Sequence, residues 1–167
     1  MIDRTVFLIG MPGSGKSSLG KRLAGRLQMR YVDTDQRLCD AAGCSVTDIF
    51  ARYGEQAFRN AETNVLTQIA YEPPAIVSTG GGMVMREVNQ RIMRNHGVIV
   101  LIDRPLEDIM SDIKLDRRPL LAQKGLGEVE RLYHERIGVY RALADATLDN
   151  SQGYYNGMYN LERLVRS

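Results

Sequence analysis

The sequence predicts an α/β fold, a parallel sheet covered by helices on both faces. Apolar runs at residues 6–9, 75–77 and 98–102 lack polar alternation, the mark of strands buried on both sides. Segments of helical periodicity lie between them, and alternating strands and helices pack as right-handed βαβ units. The first run also leads into Gly-Met-Pro-Gly-Ser-Gly-Lys-Ser at residues 10–17, a complete G-x-x-x-x-G-K-[ST] loop followed by a helical pattern.

Each element has its own reason. Strand 6–9 is Val-Phe-Leu-Ile, and helix 16–28 follows the loop directly. A weaker strand at 30–33 ends on Asp33 and precedes helix 35–42. Helices 45–53 and 55–71 come next, the first opened by Ser45 and Asp48 in the spacing of a capping pair. Strand 75–77, helix 86–95, strand 98–102 and helix 106–114 continue the alternation, and helix 128–144 precedes a second weak strand at 146–148. The polar, tyrosine-rich stretch 151–157 reads as a loop before a short final helix. No linker, repeat or low-complexity segment interrupts the pattern, so residues 1–167 are expected to form one domain.

Composition narrows the class. Hydrophobic residues make up 44% and charged residues 25%, ordinary for a soluble globular protein. A net charge of +2 gives no electrostatic case for nucleic acid. No apolar stretch approaches the roughly 20 residues that span a bilayer, and no signal peptide opens the chain. Cys39 and Cys44 have no neighbouring cysteine or histidine partner and read as reduced thiols. A cytoplasmic, soluble enzyme without nucleic-acid or membrane partners is the expectation. His96 and His134 form no metal or triad pattern, and the eight methionines read as core filler.

In a parallel sheet, ligands collect beyond the carboxyl ends of the strands, which points to residues 10–17, 33–35, 79–82, 103–105 and 149–151. In the loop, Gly13, Ser14, Gly15, Lys16, Ser17 and Ser18 are the candidates for a nucleoside triphosphate. Glycines let successive N–H groups turn inward onto phosphate oxygens, and the helix adds its N-terminal dipole. Lys16 neutralises the outer phosphates, and Ser17 offers a hydroxyl to magnesium.

Asp33 and Asp35 can divide labour between magnesium and a substrate hydroxyl, or one can simply cap the next helix. Gly80, Gly81 and Gly82 are compatible with a ligand held close to bare backbone, or with a flexible loop. Arg59 has Glu62 three residues on and is either a braced anion ligand or a solvated pair. Arg118 lies in a loop of about residues 115–127, long enough for a lid whose arginines enter on closure. Arg136, eighteen residues after Arg118, is either a site arginine or a helix-surface one.

The order of these motifs resembles the shikimate kinase family: phosphate loop, Asp-x-Asp, Phe-Arg-x-x-Glu, Gly-Gly-Gly, Arg-Pro-Leu-Leu and a later Arg before Tyr. The resemblance runs from Thr5 to about Asn150 and implies the three-layer P-loop fold of the nucleoside monophosphate kinase group. Its five-stranded parallel sheet would have the order 2-3-1-4-5, with a mobile lid. Asp35, Arg59, Gly80, Gly81, Gly82 and Arg136 match the family's shikimate-binding positions. Asp33 and Ser17 match its magnesium ligands, and Arg118 its lid arginine. The implied reaction is transfer of the γ-phosphoryl group of ATP to the 3-hydroxyl of shikimate, with Lys16, Asp35 and Arg118 catalytic, Asp35 the candidate base and Mg2+ the cofactor. A monomer acting on shikimate and ATP is expected. Gluconate kinase on the same scaffold and a non-catalytic nucleotide-binding regulator are the alternatives. One position departs from the pattern: Ser111 stands where members often carry an adenine-stacking arginine, leaving Lys114 or Arg117 to substitute.

Overall fold

A computed structural model describes residues 3–113 and 125–166. The elements run β1 (Thr5–Ile9), α1 (Lys16–Leu27), β2 (Arg30–Asp33), α2 (Thr34–Ala42), α3 (Val46–Ala70), β3 (Ala75–Ser78), a 3₁₀ turn (Met83–Met85) and α4 (Glu87–His96). They continue with β4 (Gly97–Asp103), α5 (Leu106–Ile113), α6 (Leu126–Leu143), β5 (Ala146–Asp149) and α7 (Tyr154–Arg166). All strand pairings are parallel, and the order is β2-β3-β1-β4-β5, the order expected.

Side-chain alternation along the strands builds two hydrophobic layers. Val6, Leu8, Ile76, Val100 and Ile102 pack with Leu19 and Leu23 of α1 and Met158 and Leu161 of α7. Phe7, Ile9, Val77, Ile99 and Leu101 face the other way, toward α2 to α6, where Leu38, Phe58, Leu66, Met93, Ile109 and Tyr140 cover them. Phe7, Leu8 and Ile9 are fully buried, each worth about 1.5–3 kcal/mol relative to exposure. The central strand is thus the most strongly anchored part of the scaffold, and the phosphate loop leaves from its end.

Local chemistry fixes the helix ends. Ser45 and Asp48 form a complete capping box at the start of α3. Gly54, at φ 80° and ψ 174°, breaks α3 where the sequence predicts two helices separated by one residue. Helix α7 corrects the expected loop at 151–157, because it begins at Tyr154. Gly153 (φ 84°) makes the turn, and Gly157 donates back to its carbonyl at 3.0 Å inside the helix instead of breaking it. Among the described residues, no helix is long and apolar enough to cross a membrane.

The strand order arranges the chemistry. The exits of β1 and β3 are adjacent, β2 lies beyond β3, and β4 and β5 flank β1 on the other side.

Candidate active site

The phosphate loop adopts a backbone that side chains resist. Gly10, Gly13 and Gly15 have φ of 142°, 87° and 103°, in the region that favours glycine. The Lys16 ammonium donates to the carbonyls of Gly10 at 2.9 Å and Met11 at 2.8 Å, so the side chain folds back over its own loop. Pro12, Gly13, Gly15, Lys16, Ser17 and Ser18 line a cavity of about 360 Å³ with Asp33, Asp35, Thr79 and Gly81. Ser14 is the exception among the expected loop residues, with its side chain fully buried.

Asp33 performs two tasks at once. One carboxylate oxygen caps α2, accepting the N–H groups of Asp35 at 3.1 Å and Gln36 at 3.2 Å. The other accepts the Ser17 hydroxyl at 2.9 Å. Capping and proximity to the phosphate loop therefore coexist in one residue, and Tyr31 adds a weaker contact at 3.4 Å.

The three-glycine turn after β3 joins the rest of the site. A Cβ on Gly80 would lie 2.7 Å from the Asp35 carboxylate. On Gly81 it would lie 3.2 Å from the Arg136 guanidinium and 3.0 Å from Pro12. On Gly82 it would lie 2.7 Å from the Arg59 guanidinium. Each glycine thus makes room for a different charged side chain, drawn from α2, α6 and α3 respectively. Hydrogen bonds pin the turn as well: Gly80 donates to Thr34 Oγ1 at 2.9 Å, and Tyr140 donates to the Gly81 carbonyl at 2.6 Å. The flexible-loop reading of these glycines gives way to a fixed wall.

The charges sit in a partly dry environment. Burial pushes the Asp35 carboxyl up, and Asp33 pushes the same way, while Lys16 and Arg59 oppose both. Burial likewise raises Glu62, opposed by its 2.7 Å hydrogen bond from Arg59. Glu62 is 1% exposed, so Arg59 is a braced guanidinium and not a solvated helix pair. Burial also holds the Tyr140 phenol at about 12, keeping it a hydrogen-bond donor. The Arg136 Nε is buried with no hydrogen-bond partner among the described residues, an orphan donor beside the glycine turn.

Three further side chains act on the backbone of the site. Tyr140, the tyrosine after Arg136 in the motif order, holds the Gly81 carbonyl. Arg104, at the β4 exit, donates to the Gly13 carbonyl at 3.0 Å and pairs with Asp112 at 2.6 Å. Asn150, at the β5 exit, donates to the Ser14 carbonyl at 2.9 Å. Ser111 is exposed on α5. Lys114, Arg117 and Arg118, with most of the expected lid, lie outside the described residues. A larger hollow of about 700 Å³ lies at the opposite end of the sheet, but its Arg26 and Arg30 are paired with Glu162 and Glu72.

A family model described as shikimate kinase matches residues 12–159. The chain is 34% identical to a shikimate kinase of Clostridium beijerinckii over 165 residues, 99% of this chain and 96% of that one. It is 37% identical to a shikimate kinase of Neisseria meningitidis over 163 residues, 96% of each. Among solved structures, a shikimate kinase from Acinetobacter baumannii in complex with shikimate superposes with a TM-score of 0.87 at 27% identity, covering 98% of this chain and 90% of that one. The matched segment takes in the phosphate loop from its third residue, both aspartates, the glycine turn and both arginines, and on that ground the chain belongs to the shikimate kinase family.

Proposed function

We propose that the cavity and the glycine turn with its arginines form the donor and acceptor halves of one site, serving the ATP-dependent phosphorylation of shikimate at its 3-hydroxyl. In the donor half, the N–H groups of Gly13, Ser14, Gly15, Lys16, Ser17 and Ser18 receive the phosphates, and Lys16 leaves its loop carbonyls to neutralise the transferring group. Phosphoryl transfer asks mainly for positioning and charge neutralisation. The Ser17 hydroxyl and the Asp33 carboxylate are hard oxygen donors 2.9 Å apart, a pairing that suits magnesium with water and phosphate completing its shell. Bound there, the ion would neutralise phosphate charge.

In the acceptor half, Arg59 and Arg136 grip the carboxylate of shikimate, because guanidinium groups donate to carboxylates in a planar fork. Gly80, Gly81 and Gly82 give the ring a wall without side chains. Asp35 accepts the hydrogen of the reacting hydroxyl, and its raised pKa makes it a better base than a surface aspartate. Arg118 keeps the role the sequence assigns, closing on the transferring phosphoryl group. Two free cysteines fit a reducing compartment such as the cytoplasm.

The observation that carries this reading is the turn at residues 80–82, where three successive glycines face Asp35, Arg136 and Arg59 in turn. A coupled ATP-consumption assay with shikimate, gluconate and nucleoside monophosphates tests it. Turnover is expected with shikimate alone. Turnover of gluconate without shikimate would overturn it, and ATP binding without transfer to any acceptor would make the chain a regulator instead.

A further inference from the structure

Three carbonyls in and just after the phosphate loop bond to donors that do not line its cavity. Gly13 takes Arg104, Ser14 takes Asn150, and Lys16 takes the Ser78 hydroxyl at 3.0 Å. The Ser14 carbonyl matters most. A trans peptide is planar, so this carbonyl and the N–H of Gly15 point in opposite directions. Gly15 lines the cavity and has φ of 103°, in a region where glycine alone rotates freely. That peptide plane would turn at low cost without an external hold.

Asn150 is itself fixed. Its N–H donates to the Asp103 carbonyl at 2.8 Å, which ties it to the end of β4. Its amide lies between two glycines: a Cβ on Gly15 would come within 2.9 Å of Nδ2, and one on Gly157 within 2.4 Å of Oδ1. The Oδ1 is buried without a hydrogen-bond partner among the described residues. Only the donor end of this side chain is used, and it is used on the loop.

We propose that Asn150 is a positioning residue for the nucleotide, its amide holding the Ser14 carbonyl outward so that the Gly15 N–H stays aimed at a bound phosphate. The inference rests on the phosphate role proposed above for the loop. It adds a residue from the β5 exit, and a contact in α7, to the machinery that shapes the donor half.

The test measures ADP affinity by calorimetry, KM for ATP and shikimate separately, and Tm, in N150A, N150D, G157A and the N150A/G157A double variant. N150A removes the donor, and N150D sets a carboxylate against the carbonyl. G157A pushes on Oδ1 without touching the loop. Each single variant is expected to weaken ADP about tenfold, roughly the loss of one hydrogen bond. The KM for shikimate should stay within about twofold of the parent, and G157A should add nothing in the N150A background. Unchanged ADP affinity in N150A, a joint rise of both KM values, or full additivity of G157A would each overturn the proposal. ADP binding needs no acceptor, so a parent that binds ADP but leaves shikimate untouched counts against the proposed function only.

Discussion

The two halves of the proposed site are built on opposite plans. The proposed donor half is written into residues 10–17, and the atoms proposed to bind phosphate are mostly backbone. The proposed acceptor half takes Asp35 from α2, Arg59 from α3 and Arg136 from α6, gathered around a turn that has no side chains. A triphosphate is recognised by charge and by a row of N–H groups, which a short loop can supply. A small anion with hydroxyls must be told from its neighbours, and that takes side chains arriving from several directions. Local sequence can encode the first kind of site, whereas only the fold can assemble the second.

The sharpest way to break this division is at Lys16. Lys16→Ala should lower kcat at least about a hundredfold, the usual cost of losing one donor to developing charge, while the binding of shikimate persists. Steady-state kinetics with shikimate calorimetry checks this, and a normal kcat would refute the phosphate role.

Next in size are the arginines. Arg136→Ala and Arg59→Ala should each raise KM for shikimate about 10- to 100-fold, since a charged hydrogen bond is worth about 1.5–3 kcal/mol. ADP affinity should hold in both, and a parallel loss would show that the halves are not separate. The two should differ in stability. Arg59→Ala strips the buried Glu62 of its partner and should cost about 1–3 kcal/mol in urea unfolding, with Arg136→Ala costing less.

A subtler probe is Gly82→Ala. Its Cβ meets only the far end of Arg59, so folding should lose less than about 1 kcal/mol. Moving that guanidinium should still raise KM for shikimate about tenfold, at unchanged KM for ATP. Equal effects on both substrates would mean that the turn distorts as a whole.

The smallest effect concerns pH. The folded-state pKa of Asp35 is raised by burial, so its favourable contribution to stability is present below the ordinary carboxylate value of 3.8 and is lost as pH rises through the raised value. Asp35→Asn should therefore raise Tm near neutral pH, with the gain vanishing at about pH 3. As the proposed base, Asp35 would act ionised, so kcat/KM for shikimate should fall on acidification at a higher pH than a surface aspartate would give. Arg59→Ala, which removes an opposing charge, should move that acid limb higher still.

What the sequence discloses follows the same line. The strands at 75–77 and 98–102 are legible because burial on both faces leaves unbroken apolar runs, and the loop is legible because its glycines and Lys16 are contiguous. The aspartates, the glycine turn and both arginines are found through their joint order, since each alone also reads as a cap, a loop or a surface charge. Arg104 and Asn150 fall within the strand exits 103–105 and 149–151 and Tyr140 within the motif order, but what each side chain does is not legible, because each acts on a backbone carbonyl distant in sequence. Residues 154–157, read as part of a polar loop, are helical instead, and Gly157 lets the helix pass close to Asn150.

The bare turn at Gly80, Gly81 and Gly82 also restricts how this pocket can evolve. A Cβ on Gly80 or Gly82 crowds Asp35 or Arg59, and one on Gly81 crowds Pro12 and Arg136, so a side chain there disturbs the groups for which the turn makes room. A descendant of this protein that accepts a different small molecule would have to change through α2, α3 and α6, with the glycine turn carried along untouched.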